Sequence, residues 1–348
     1  MAKALYGLTL VELQEIALSV GLKKFAGAQI ADWLYSKNVE SIDGMTNLSL
    51  KAREALKEGY EVGRTAPAEV LTSKDGTRKM LYRYGREGGK EIAVETAYIP
   101  DGYGERNTLC VSSQAGCKMS CEFCMTGRQG FGGNLTAGEI LNQMASTEGH
   151  EDLTNIVYMG MGEPMDNLVE VLKSIEIMTS KWGYAWSPRR ITVSTIGIPE
   201  RVKTFLDSCE AHIAISLHSP RSEERVNIMP VEKAYPIEET IDLLRGYDWE
   251  GQRRLTFEYT MFDGVNDSRS HADALLALVK GLHCRVNLIG FNAIPDSRLK
   301  GTSLRKMAEF RDYLCNKGLT ATIRQSKGSD IEAACGMLST KRKQVEGQ

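Results

Sequence analysis

The chain has 348 residues, 42% apolar and 25% charged, a balance that predicts a folded globular body and argues against disorder across it. That length exceeds what one compact core usually holds, so a main domain of about 200 to 250 residues plus something smaller is expected. A net charge of −2 argues against a generic polyanion binder, although a local basic patch can still hold RNA. No apolar run approaches about 18 residues, and the opening MAKALYGLTLVELQE carries charges where a secretion signal needs an apolar centre. A cytoplasmic protein without a membrane span follows as the expectation. Eight cysteines in so long a chain, five of them outside one short cluster, speak for metal or redox use of reduced thiols rather than a disulfide scaffold.

In chain order, residues 8 to 60 read as helical. LTLVELQEIALSVGL and FAGAQIADWLYSKNV repeat apolar residues at three and four spacing, Thr9 stands where a cap belongs, and SLKAREALKEG closes on Gly59. This predicts a small helical domain over 1–65. From about Val70 to Pro100 the rhythm changes to alternation, RKMLYRYG and EIAVETAYIP separated by the turn-rich REGGK, which predicts a β-hairpin linker over 66–105. Over 106–348 six β-rich runs, TLCVSS, NIVYMG, RITVST, HIAISLH, LTFEYTMF and RVNLIGFN, alternate with amphipathic helical stretches. Six βα units predict an α/β fold with a parallel sheet, and no GxGxxG follows the first strand, so a partial (βα)6 barrel is favoured over a dinucleotide-binding sheet. TATIRQ is one further apolar run, and TKRKQVEGQ reads as a frayed, charged end.

Polar residues gather where these strands end. Cys117 to Cys124 follow the first strand, Gly162 and Glu163 the second, Ser194 ends the third, Ser216 to His218 the fourth, and Asn292 follows the sixth. Barrels of this kind place their chemistry at that face. The spacing CxxxCxxC of Cys117, Cys121 and Cys124 offers three thiolates to a [4Fe-4S] cube and leaves its fourth iron open for a substrate. A structural zinc site would be closed by four ligands, with a distant residue such as His150 as the fourth.

The cysteine spacing is that of the radical SAM superfamily. Together with VETAYIP, LCVSSQAGC, GFGGNLTAGEI, YMGMGEP, VSTIG, ISLHS, FNAIP and RQSKGSDIEAACGML, it resembles the RlmN and Cfr group of adenosine methyltransferases, from about residue 8 to 340. Within that group the chain is most similar to RlmN. The resemblance implies methylation of carbon 2 of an adenosine in 23S rRNA and in tRNA, with S-adenosylmethionine spent twice, once as methyl donor and once as radical source. It implies that Cys335 is methylated and carries the carbon to the base, that Cys110 attacks the Cys335 sulfur to release the product as a disulfide forms, and that Glu95 accepts the ring proton. It assigns Gly162, Glu163, Ser194, Ser216, Leu217, His218 and Asn292 to S-adenosylmethionine. A flavodoxin-type electron donor, a monomeric chain and an RNA-gripping N-terminal domain are also implied. The chemistry has a physical logic: carbon 2 is electrophilic and its C–H nonacidic, so a covalent carrier replaces direct displacement.

Taken without the resemblance, each residue has a plainer reading. Cys110 lies in an apolar strand and Cys335 between an alanine and a glycine, where a small core thiol would serve. Glu95 reads as a solvated hairpin carboxylate. Cys209, Cys284 and Cys315 match no motif and are read as structural. Lys23 and Lys24, Arg189 and Arg190, and Arg253 and Arg254 are charge pairs of the kind that face solvent. Two positions depart from the family pattern: Gly133 stands where an arginine is frequent, and Met125 where smaller residues are. The competing activities are methylation of carbon 8, a radical enzyme that activates another protein, and a zinc-stabilised RNA-binding protein. Because the target adenine must leave its stack, a loop or an opening stem is the expected RNA.

Overall fold

The computed structural model of the chain describes residues 2–101 and 105–340. Short strands β1 (Lys3–Ala4) and β2 (Tyr60–Glu61) pair in parallel around the N-terminal helices. The first of these, α1 (Leu10–Ser19), starts at Thr9, whose hydroxyl and backbone close a capping box with Glu12 and so satisfy two orphan amides. It buries Leu13 and Ala17, one turn apart. α2 (Ala26–Ala31) runs on into a π turn over Asp32–Ser36, and α3 (Leu50–Lys57) is capped by Ser49.

The alternating segment forms three antiparallel strands, β3 (Glu69–Thr72), β4 (Arg78–Gly85) and β5 (Glu91–Ile99). β5 pairs antiparallel with β6 (Thr108–Cys110), the first parallel strand. β7 (Gln114–Gly116) and β8 (Phe131–Asn134) make a small separate pair that flanks the cysteine loop. The parallel sheet continues through β9 (Asn155–Tyr158), β10 (Ile191–Thr195), β11 (His212–Ser216), β12 (Leu255–Met261) and β13 (Cys284–Gly290) to β14 (Thr320–Arg324). The complete order is β14-β13-β12-β11-β10-β9-β6-β5-β4-β3, a sheet with two free edges and therefore an open barrel. The six expected strands are all present, and TATIRQ supplies a seventh, aligned in register from Arg285↔Thr320 to Ile289↔Arg324. Thr320 and Thr322, which share one face of this strand, are exposed, which is why its apolar signal is short.

The connecting helices are α4 (Met125–Gln129), α5 (Ala137–Ala145), α6 (Leu168–Thr179), α7 (Pro199–Ser208), α8 (Ser222–Ile228), α9 (Ile237–Leu244), α10 (Arg269–Leu278) and α11 (Leu304–Asn316). Periodicity anticipates most of these. α4 and α8 are too short to show a period. The N-terminal helices dock on α5 and α6 through backbone: a Cβ on Gly7 would stand 2.2 Å from Gly138 N, a closeness only glycine permits, and Lys173 pairs with Glu12 at 2.7 Å beside it. The β3–β4 turn does more than lead into the barrel. Ser73 Oγ donates to Asp330 at 2.6 Å and Gly328 N donates to Asp75 at 2.9 Å, so this turn anchors the C-terminal segment. The charged run KRKQVEGQ lies outside the described residues. No described helix is long and apolar enough to cross a membrane.

Candidate active site

The loop between β7 and β8 is folded back on itself by backbone: Cys117 N donates to Gly130 O at 3.1 Å and Cys124 N to Cys121 O at 3.2 Å. Arg128 braces it by donating to Glu122 O at 2.9 Å. Cys117, Cys121 and Cys124 thereby line a cavity of about 160 Å³ together with Gly162, Glu163, Ser194, Ser216, His218, Asn292 and Cys335. Residues from distant stretches of the chain thus meet as the strand-end argument requires. Burial pushes the Cys117 thiol up to about 12 and Cys121 well above the usual range, so these protons leave only for a strong local positive charge such as iron. Among the described residues no three His, Cys, Asp or Glu side chains converge on one chelated point. A cubane takes each thiolate on a different iron, and three thiols along one cavity wall fit that arrangement. His150 stands elsewhere, beside Asn38 at 3.2 Å and Glu151 at 3.2 Å.

The opposite wall is made by strand ends. Glu163 is 3% exposed; its Oε1 accepts from Met165 N and its Oε2 from Ile196 N, both at 3.0 Å, which ties the end of β9 to the end of β10. Burial raises its carboxyl to about 7. Gly162 lines the cavity, yet packing is what demands glycine: φ is 101° and an added Cβ would lie 2.6 Å from Gln114 Cβ. His218 adopts a left-handed φ of 57°, accepts from Thr260 N through Nδ1 at 2.9 Å, and meets the Phe123 ring edge-on at 4.7 Å. Burial and then Arg225 press its pKa down to about 3, so the ring is neutral with Nε2 as its donor. Leu217 points into the core; its amide donates to Glu258 O and its carbonyl accepts from Arg225 Nε, each at 3.0 Å.

The carrier candidate sits on a loop held to α4. Met125 N donates to Gly336 O at 2.8 Å, Thr126 Oγ1 to Leu338 O at 2.7 Å, and Ser339 Oγ to Gln129 Oε1 at 2.8 Å. Asn292 Nδ2 donates to Cys335 O at 3.3 Å. Met125, one of the two departures, therefore acts here through its backbone. Half-buried Cys335 borders the cavity and also a second, smaller chamber, and it is this chamber that Cys110 lines. Cys110 packs among Ala97, Val157 and Ala333, and burial followed by the nearby Cys335 raises its thiol to about 12. No disulfide joins the two among the described residues. Glu95 does not reach the cavity wall. It lies buried on β5, paired with Lys79 at 3.1 Å and accepting from Ser339 N at 2.9 Å, with burial holding its carboxyl above the ordinary range.

Several residues of the site escape sequence reasoning. Arg225, fully buried, pairs with Glu232 and donates to Ile196 O at 2.9 Å and Ser216 O at 3.0 Å, binding the ends of β10 and β11. SPRSEERVN is dense in charge and reads as surface; only the fold shows that this one arginine turns inward. Glu258 and Arg324, on β12 and β14, line the cavity without any motif to single them out. Cys209, Cys284 and Cys315 stand away from it.

Residues 111–276 match the model of the radical SAM superfamily, and residues 3–62 match that of the ribosomal RNA large subunit methyltransferase N-terminal domain. A curated relative from Phocaeicola vulgatus, a probable dual-specificity RNA methyltransferase RlmN, is 56% identical over 99% of this chain and 97% of its own. The dual-specificity RNA methyltransferase RlmN of Marinobacter nauticus is 40% identical over 96% of this chain and 92% of its own. The crystal structure of a radical SAM methyltransferase from Sphaerobacter thermophilus superposes with a TM-score of 0.88 at 37% identity, covering 97% of this chain and 99% of that one. With the cysteine loop, strand-end wall and N-terminal helices all accounted for, the chain belongs to the RlmN family of radical SAM RNA methyltransferases.

Proposed function

We propose that this enzyme methylates carbon 2 of adenosine in 23S rRNA and in tRNA, with Cys335 as the methyl carrier and Cys110 as the resolving thiol. The observation that carries the reading is that Cys335, from the far end of the chain, borders the same cavity as Cys117, Cys121 and Cys124 while also bordering the chamber of Cys110. Cys117, Cys121 and Cys124 would hold a [4Fe-4S] cluster, which would supply the electron for reductive cleavage of S-adenosylmethionine. Ser194, Ser216, Asn292 and the Nε2–H of His218 present donors and acceptors for its polar groups, and Glu163 keeps the strand ends in place to do so. Cys335, partly exposed, accepts a methyl group and later attaches to the base. Cys110 then attacks the Cys335 sulfur, the electron pair of the broken carbon–sulfur bond stays with the carbon on the ring, and that carbon takes a proton from solvent to become the methyl group. Glu95, raised in basicity by burial and bonded to Ser339 of the carrier loop, is assigned the ring proton, which requires that loop to move because the carboxylate lies off the cavity wall. The first 65 residues serve as the RNA-gripping domain, a flavodoxin-type protein delivers electrons, and the enzyme works as a monomer in the cytoplasm.

The test is an anaerobic incubation of reconstituted protein with reductant, labelled S-adenosylmethionine and an RNA fragment holding the ribosomal adenosine, followed by nucleoside mapping. 2-Methyladenosine is expected; 8-methyladenosine would replace the reading with carbon-8 chemistry. Cys110→Ala is expected to accumulate a covalent protein–RNA species, and Cys335→Ala to form none and to lose methylation entirely. An adduct that survives Cys335→Ala would remove the carrier role.

A further inference from the structure

The barrel has a second opening that the proposed reaction does not use. Opposite the cysteine loop, at the N-terminal ends of the parallel strands, lies a cavity of about 740 Å³ whose wall includes Asn155, Thr192, His212, Thr256 and Asn287. Its charge is one-sided. Arg106, Arg189, Arg254, Arg285, Arg324 and Lys327 face it against three carboxylates, Asp101, Glu105 and Glu258. Arg189, Arg254 and Arg285 are exposed, and none forms an ion pair among the described residues. His212 at the floor feels them: burial, then Arg254, Arg189 and Arg253, press its pKa down to about 4. A low-dielectric wall lined by one sign of charge concentrates anions.

Against the inner end of this funnel lies the chamber of the cysteine pair. The chamber of Cys110 and Cys335 shares Ile99, Met159, Arg324, Gln325 and Lys327 with the funnel, and Cys110 borders that chamber but not the mouth cavity. Arg324 and Met159 line all three spaces, with Arg324 donating to the weak acceptor Met159 Sδ at 3.0 Å. The chamber of Cys110 thus adjoins both spaces, sharing five lining residues with each, and in the proposed reaction the mouth is the side that must hold the cosubstrate and the RNA.

We propose that the basic funnel is the access route of a small anionic thiol that reduces the Cys110–Cys335 disulfide after each turnover; this rests on the carrier reading given above. The step balances without the cluster. One thiolate attacks a sulfur of the disulfide and displaces the other cysteine as a thiolate, a second attacks the mixed disulfide, and the products are two cysteine thiolates, protonated from water, and one oxidised small-molecule disulfide. Approach from below leaves product RNA and fresh cosubstrate free to exchange at the mouth meanwhile.

The holoenzyme is treated anaerobically with one equivalent of diamide, closure of Cys110–Cys335 is verified by peptide mapping, and reduction is timed with 3-mercaptopropanesulfonate, 2-mercaptoethanol and cysteamine at equal thiolate concentration. The anionic thiol is expected to outpace the cationic one by about tenfold at low salt, an advantage that high salt erases. The exposed double variant R254E/R285E reverses the order while keeping the wild-type melting profile, and saturating S-adenosylmethionine leaves the rate with the anionic thiol unchanged. Charge-blind reduction, an order unmoved by R254E/R285E, or a block by S-adenosylmethionine would each overturn the access route alone. Failure of the pair to close under diamide would overturn the carrier reading and the route with it.

Discussion

The strand-end wall of the cavity is tied together by buried charge, whereas the wall that carries Cys335 is a loop tied down at its edges by hydrogen bonds. In the first, Arg225 and Glu232 are buried together and the guanidinium gathers the carbonyls of Ile196, Ser216 and Leu217, so three elements cannot shift separately. In the second, Met125, Thr126 and Gln129 hold residues 336–340, and Asn292 touches Cys335 only through its carbonyl. The difference matches two tasks. In the proposed reaction a wall that orients a cosubstrate would gain from rigidity, while a carrier sulfur that meets a methyl donor, a base and a resolving thiol in turn would need a backbone able to move.

The largest effect is expected from Arg225→Met. Removing the guanidinium leaves Glu232 buried without its partner and strips three strand-end carbonyls, a loss of about 3 to 5 kcal/mol by analogy with broken buried pairs, read from urea unfolding. A loss under 1 kcal/mol would mean that this wall is not held by charge. Next comes the acid limb of stability. The unfolded His218 takes its proton near its ordinary pKa while the folded ring resists until about 3, so its contribution is complete above that ordinary value and is lost as pH falls toward 3. Between pH 8 and pH 5 this single group accounts for about 2 kcal/mol, and His218→Gln should flatten the stability profile by that amount. The smallest effect on stability, about 1 kcal/mol or less, is expected from Gln129→Ala, which removes the bonds its Oε1 accepts from Ser339 Oγ and Thr340 N and leaves the Ser339 N bond to Glu95 in place. The same variant should speed amide exchange in 335–340 and cut methylation more than it cuts stability. Equal exchange in variant and wild type would end the contrast between the two walls.

How much of this was legible beforehand varies by element. Thr9 with Glu12 marks the start of α1 because a capping box is local chemistry, and the structure closes it. The cysteine loop is equally local: spacing alone puts three thiols in one turn. β14 shows in the sequence only as an apolar run, since an edge strand with one exposed face has too few buried positions to declare itself. Arg225 and Arg324 gave no sign, because a buried arginine and a surface arginine are the same letter, and only the strands around them decide which is which.

By itself the sequence determined what depends on neighbours along the chain: the caps, the alternation of strand and helix, the thiol spacing, and motifs dense enough to carry the family. The tertiary structure alone decided what depends on neighbours across it. It brought Cys335 to the mouth cavity and left Cys110 on the chamber behind, buried Glu95 against Lys79 away from the cavity wall, and lined the lower opening with arginines from separate strands. The physical reason is that burial and Coulomb interaction act through space, so the chemistry of a thiol, a carboxylate or an arginine is set by the fold's distances and not by the chain's order.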